Sequence, residues 1–366
     1  MKNEVSESGG KQRVRALDVM RGITIVCMII VNNGAGPQSF SQLQHSEWNG
    51  LTVCDLVFPF FLFIMGITTY LSMASRGFRA DGPAVAKVLR RTLVILLICW
   101  ALHWFDGVCH GRNVFDLSHL RLTGVLTRIA LCYCAVSMLA FAASRRAVAW
   151  VAAGLLVLYG ALLLCFSGYI NGPENINNIV DHALLPDAQL YTRRPVDPEG
   201  LLGTLPAIAH TIIGFCCGAV LRSPQPVSDR LLQLFVAGAL LVCCGLLASA
   251  VLPVNKRVWS PSYVLVTCGA AAAMLATLSY YIDIRGYRRY FTFFETFGVN
   301  PLFLYVLAEA LAPVFGVSGA KDALYSAISG MVPSAPVASA VYAIVFALLM
   351  GLPAVILYRR RIYIKI

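Results

Sequence analysis

Apolar runs of about 20 residues recur along the whole chain, with short polar stretches between them. A run of that length matches the roughly 30 Å of hydrocarbon that a transmembrane helix crosses. The pattern predicts ten spans, at 17–34, 51–74, 91–108, 125–143, 148–168, 202–221, 231–252, 263–283, 292–313 and 336–358. The expected architecture is all-α and polytopic. One transmembrane domain covers 16–360, a flexible tail covers 1–15 and a short tail covers 361–366. No soluble domain and no internal repeat is visible. The missing repeat counts against a transporter built from duplicated halves. The stretch GITIVCMIIV followed by NNGAG has the shape of a signal peptide. Its removal would discard polar residues with a candidate role, so retention is expected.

Composition agrees with the pattern. Hydrophobic residues make up 58% of the chain and charged residues 13%, against about 25% charged in soluble domains. The net charge of +11 raises nucleic acid as a partner, but its distribution argues against that. Most of the 29 lysines and arginines fall in alternate loops, at the N-terminus, in 76–91, 145–146, 222–230 and 285–289, and at the C-terminus. This is the positive-inside bias. It predicts both termini in the cytoplasm, an inner-membrane location, and loops 35–50, 109–124, 169–201, 253–262 and 314–335 outside. The longest outer loop contains GYINGPENINN and YTRRPVDPEG. That composition suits contact with a hydroxylated ligand, and equally an ordinary solvated loop. The twelve cysteines lie almost entirely within spans, where they serve as small apolar fillers. Their spacing predicts neither a disulfide framework nor a metal site.

Polar residues inside the spans need a reason, because an ionisable group there costs at least ~2.5–3.5 kcal/mol. Asp18 and Arg21 are three apart on one helix face. They form a juxtamembrane ion pair, or Arg21 turns inward to grip a phosphate. Asn32 lies about 21 Å further along the same helix, near its outer end. Span 2 runs back from there, and Asp55 lies about one and a half turns into it. His45 is in the joining loop of QHSEWNGLTVCDLVFPFF. Span 4 starts outside in RLTGVLTRIAL, which puts Arg128 at a similar depth. Four polar side chains are thus expected to converge near the outer face. Asn32 could instead cap its helix, and Arg128 could be a structural counter-ion for Asp55. A histidine beside a carboxylate is the general-base arrangement, and Asn32 could donate to an oxyanion. His103, His110, His119, His182 and His210 are weaker candidates. In FGVNPLFLY, Asn300 and Pro301 mark a kink or an opened helix that lines a channel.

The segments LDVMRG, IIVNNGAG, HSEWNGLTVCDLVFPFFLFIMG, RLTGVLTRIAL, DPEGLLGT, LPVNKRVWSPSY and FGVNPLFLYV, in this order, closely resemble the heparan-alpha-glucosaminide N-acetyltransferase family, of bacterial type. The resemblance covers essentially the whole membrane domain. It implies an acetyl-CoA-dependent transmembrane N-acetyltransferase that moves acetyl from cytoplasmic acetyl-CoA to the amine of a glucosamine-type sugar outside. His45 matches the family's active-site histidine, as general base or acetyl carrier, with Asn32 and Asp55 around it. Two extra residues between Asn32 and His45 leave Asn33 as an alternative to Asn32. Arg128, Asn300, Trp48 and Asn49 are the expected acceptor-binding residues. Arg21, Arg90, Arg91 and Arg288, with Arg285 and Arg289, are the expected CoA-binding residues at the inner mouth. The chain begins without the large lumenal domain of animal members, so a small amino sugar or an envelope fragment is the expected acceptor. The expected partners are acetyl-CoA, the amino sugar, the lipid bilayer and a possible homodimer, with no nucleic acid and no metal. An amino-sugar transporter and an O-acetyltransferase of envelope polysaccharide are the competing readings.

Overall fold

The computed structural model describes residues 14–191 and 194–364. Helices dominate them, and no strand occurs among them. The helices are α1 (Arg15–Asn32), α2 (Val53–Ala74), α3 (Gly82–Cys109), α4 (Val125–Ala142), α5 (Arg145–Cys165), α6 (Ile176–Leu184), α7 (Thr204–Leu221), α8 (Val227–Ala248), α9 (Pro261–Ser279), α10 (Arg288–Val299), α11 (Pro301–Val317), α12 (Ala320–Met331) and α13 (Ala335–Arg359). A π-helical turn, Tyr280–Ile284, extends α9.

Eight helices among the described residues are long and apolar enough to cross a membrane: α2 to α5, α7, α8, α9 with its π turn, and α13. The pair α10 and α11 makes a ninth if counted as one span, but it bends by 71°. The bend falls at Asn300–Pro301, where proline removes a backbone donor and clashes with the preceding turn. The apolar run at 292–313 is therefore not one straight span. α1 is the tenth expected span. It is only 18 residues long and carries Arg15, Asp18 and Arg21, so it has no 18-residue stretch with as little charge as the crossing helices offer. The expected tails at 1–13 and 365–366 lie outside the described residues.

Glycines set the closest helix contacts. A Cβ at Gly22 of α1 would meet the Phe294 carbonyl of α10 at 1.7 Å, and one at Gly298 would meet the Asp18 carbonyl at 1.8 Å. Gly66 of α2 and Gly214 of α7 interlock in the same way, with contacts of 2.1 and 2.2 Å to Thr211 and Phe63 carbonyls. Small residues let the backbones approach, and packing then replaces the hydrophobic drive that lipid cannot supply. α9 is the most enclosed element. Tyr263, Val264, Cys268, Ala271, Ala272 and Leu275 along it are fully buried.

The start of α1 and the end of α13 define one end of the bundle, here the basal end. The end of α1 and the start of α2 define the distal end. Both longer distal loops contain short helices, α6 in 169–201 and α12 in 314–335.

Candidate active site

α2 starts at Val53, and its third residue is Asp55. The Asp55 carboxylate reaches back over the first turn, as in a capping box. Its Oδ2 accepts from Thr52 N at 3.1 Å, Thr52 Oγ1 at 3.0 Å and Ser46 N at 3.2 Å. The positive end of the helix dipole favours this charge. Asp55 is thus tolerated in an apolar run because it caps the helix that carries it. Its Oδ1 faces His45 Nδ1 at 2.8 Å. Asp55 is fully buried, whereas the His45 side chain is 49% exposed. The imidazole is therefore anchored on one edge and open on the other.

A third polar group completes the cluster. Lys256, in the loop between α8 and α9, places Nζ 2.9 Å from His45 Nδ1, 3.2 Å from Nε2 and 3.7 Å from Asp55 Oδ1. The Cys54 thiol lies 3.1 Å from His45 Nδ1. With its Nδ1 hydrogen donated to Asp55, His45 keeps the Nε2 lone pair as an acceptor. The loop that delivers Lys256 is held tightly. Gly50 N donates to Val254 O at 2.8 Å, and Asn255 Nδ2 donates to Asn49 Oδ1 at 3.0 Å. Trp259 has φ +53°, an unusual value for a bulky residue. Its ring is fully buried against Phe58 and Tyr263, and that packing holds the strained turn.

Lys256 carried no periodic signal, and it is 211 residues from His45. The signal available was charge. Lys256 and Arg257 are basic residues on the side where the positive-inside bias predicts few.

Two cavities flank the middle of the bundle. The basal one, about 630 Å³, is lined by Arg21, Arg76, Arg79, Lys87 and Arg91 at its mouth and by apolar and hydroxyl groups deeper in. Among the described residues no carboxylate lines it. The distal one, about 590 Å³, is lined by Asn32, His103, Arg121, Glu199 and Glu309, among others. Val125, Leu126 and Tyr305 line both. The two cavities thus share a wall, or septum, at these three residues.

The expected site residues are distributed between these features. His45 and Asp55 meet. Asn32 bonds instead to Glu309 Oε1 at 3.0 Å and lines the distal cavity. Asn33 turns its side chain back to Ile29 O at 2.8 Å, so Asn32 is the one that projects. Arg128 is not the counter-ion of Asp55; that place belongs to Lys256. Arg128 is buried, donates to Pro198 O at 2.7 Å and Gly200 O at 2.8 Å, and lies over the Trp259 ring. Trp48 Nε1 donates to Tyr169 O at 2.8 Å, and Asn49 holds Asn255, so both tie loops together. Asn300 is at the basal end, where its amide binds Ile362 O and Ile364 N at 2.9 and 2.8 Å. It clamps the C-terminal segment and lines neither cavity. Arg21 and Arg91 line the basal cavity, whereas Arg90, Arg285, Arg288 and Arg289 do not. Arg21 also donates to Asp18 and to Gly298 O. The segments RLTGVLTRIAL and DPEGLLGT are joined: Arg121 pairs with Asp197 at 2.6 Å and Glu199 at 3.0 Å. Burial opposes the Arg121 charge, but those two carboxylates outweigh it and hold the guanidinium above its usual range.

A helical bundle with two cavities, and with an Asp–His–Lys cluster at its distal end, defines a polytopic membrane protein. Residues 13–245 match the family described as heparan-alpha-glucosaminide N-acetyltransferase, catalytic. The chain is 31% identical over 371 residues to heparan-alpha-glucosaminide N-acetyltransferase of Homo sapiens, covering 83% of this chain and 54% of that protein. Against the Mus musculus protein of the same name it is 30% identical over 370 residues, with the same coverage. The chain belongs to this family. It spans about half the length of the curated relatives it matches.

Proposed function

We propose that the protein is an acetyl-CoA-dependent N-acetyltransferase working across the membrane, with an amino sugar of the glucosamine type as acceptor. The observation that carries this reading is the pair of cavities that share Val125, Leu126 and Tyr305 in their walls. A basal mouth with five cationic side chains and, among the described residues, no carboxylate suits a polyphosphorylated nucleotide. The apolar depth behind it suits a thin pantetheine arm. CoA cannot cross about 30 Å of hydrocarbon, but its acetyl end can be presented at the septum. The distal cavity then receives the acceptor. On this reading the basal end faces the cytoplasm and the protein resides in the inner membrane, in keeping with the positive-inside bias.

In the reaction the amine nitrogen attacks the thioester carbonyl carbon, the C–S bond breaks, and CoA leaves as the thiol. His45, half exposed at the distal end and outside the lining of both cavities, serves as general base, with Asp55 fixing its tautomer and steadying the imidazolium. Lys256 presents positive charge to an oxyanion that develops beside the imidazole. Direct attack in a ternary complex needs no acetyl-imidazole relay, because the arm itself spans the basal half.

Sealed vesicles of one orientation test this. Labelled acetyl-CoA is supplied at the basal side and glucosamine at the distal side. The expected products are N-acetylglucosamine on the distal side and free CoA on the basal side. Transport of glucosamine without acetylation overturns the enzyme reading. Product formed only when both substrates share one side overturns the transmembrane reading. A labelled acetyl group trapped on His45 and chased into product would replace the ternary route with a relay.

A further inference from the structure

Glu309 brings a carboxylate into α11, the apolar second half of the bent α10–α11 pair, where such groups are costly and mark functional sites, and the chemistry given to His45 and Asp55 makes no use of it. It lines the distal cavity on α11. Tyr305 stands four residues earlier on the same face, about 6 Å deeper along the axis, and forms part of the septum. Glu309 is thus one helical turn from the point where a thioester entering through the basal cavity is presented. Asn32 donates to its Oε1 at 3.0 Å. Among the described residues no protein donor takes Oε2 and no ion pair engages Glu309. Arg121, a cation of the same cavity wall, is held by Asp197 and Glu199 instead.

We infer that Glu309, oriented by Asn32, is the ammonium-binding group of the distal cavity and takes the first proton from the acceptor amine. The inference rests on the acetyl-transfer reading above. A sugar amine at neutral pH is largely ammonium and has no lone pair to attack with. A carboxylate with one oxygen fixed and one open is suited to hold it. One proton passes from nitrogen to Glu309, which frees the lone pair. The N–C bond then forms on the thioester carbonyl carbon, and the C–S bond breaks. The second nitrogen proton passes to His45, the general base, and from it to the departing sulfur, giving CoA thiol. Glu309 returns its proton to the distal aqueous side, so one proton is released for each amide made. The same carboxylate makes the site selective, since a sugar hydroxyl brings it no positive charge.

The test compares wild type, Glu309→Gln and Glu309→Asp in lipid nanodiscs, with glucosamine and with hydroxylamine, a nucleophile that is uncharged at neutral pH. Folding is followed by size-exclusion profile. For Glu309→Gln the expected result is a loss of at least about 100-fold in kcat/KM for glucosamine. The KM for acetyl-CoA is unchanged, and transfer to hydroxylamine falls less than threefold. Glu309→Asp, which keeps the carboxylate and the cavity, regains part of the glucosamine activity. It also carries the comparison should Glu309→Gln fail to fold. Equal losses for both nucleophiles, or wild-type glucosamine kinetics in a folded Glu309→Gln, overturn the assignment of Glu309 while leaving the acetyl-transfer reading intact. A wild-type protein that acetylates no amine overturns both.

Discussion

Lys256 Nζ lies within 3.2 Å of both ring nitrogens of His45 and 3.7 Å from the Asp55 carboxylate. Loops separated by most of the chain therefore build one charge cluster on the cap of α2. Asp55 has two tasks in it. Oδ2 closes the first turn of the helix and Oδ1 anchors the imidazole. A neutral isostere separates the tasks, because an amide oxygen can still accept from Thr52 and Ser46.

Asp55→Asn is therefore expected to fold and to lose activity. The amide hydrogens would face His45 Nδ1, so the ring must turn its lone pair to that side and carry its hydrogen on Nε2. A base in the wrong tautomer cannot take a proton. The expected loss in kcat is about 100-fold or more, with the melting temperature changed little. A folded Asp55→Asn with wild-type turnover would remove the carboxylate from the mechanism.

Arg128 is expected to matter for stability and not for substrate affinity. Arg128→Met leaves the Pro198 and Gly200 carbonyls without their donor, at a cost on the order of 3 kcal/mol. Thermal unfolding in detergent should show a clear drop, whereas the folded fraction keeps the wild-type KM for both substrates. A raised KM for acceptor with an unchanged melting temperature would return Arg128 to the binding surface.

Much of this was readable from the order of residues. Eight of the expected spans and the distal meeting of His45 with Asp55 follow from hydrophobic runs and from antiparallel neighbours joined by a short loop. The bend at Pro301 was visible as a residue type, though its 71° angle was not. Depth alone placed Arg128 beside Asp55, but depth does not fix azimuth. Arg128 faces the loop after α6, and Lys256 fills the place expected of it. Asn300 was misread for a related reason. The helix break puts it at the basal end, where it binds the C-terminal segment. Glu309 belongs to a helix whose other face is apolar, and only the packing of α1 on α11 reveals Asn32 as its partner.

A pH effect is expected at Asp181, in the short distal helix α6. Burial, only partly relieved by the bond from Leu201 N, pushes its carboxyl up to about 6. The unfolded chain titrates near 4. Between those values the folded protein holds a proton that the unfolded chain has released. This group's contribution therefore falls as pH rises from about 4 to about 6, and the penalty persists above that range. Asp181→Asn carries no such charge and keeps an acceptor for Leu201. Its melting temperature relative to wild type should rise across that window and then level off. A difference that does not change with pH would show that Asp181 titrates alike in both states.

The basal cavity supports a sharper test of where the donor binds. Arg91 lines it and also stacks over the Tyr133 ring, 4.7 Å from its centroid. Arg76, Arg79 and Lys87 stand near it at the mouth. If these groups hold phosphates, each contributes to CoA binding and little to the chemistry at the septum. Losing one charge-assisted contact costs about 1.5–3 kcal/mol, so Arg76→Ala or Arg79→Ala should raise the KM for acetyl-CoA by roughly tenfold or more with kcat nearly unchanged. S-acetyl-pantetheine, which has the same arm without the nucleotide, should react equally poorly with wild type and variant. Added salt should narrow the gap for acetyl-CoA, because exposed charges at the mouth are screened. A variant that loses kcat with both donors would move these arginines from the nucleotide to the architecture of the cavity. Unchanged kinetics with both donors would place the nucleotide elsewhere on the protein.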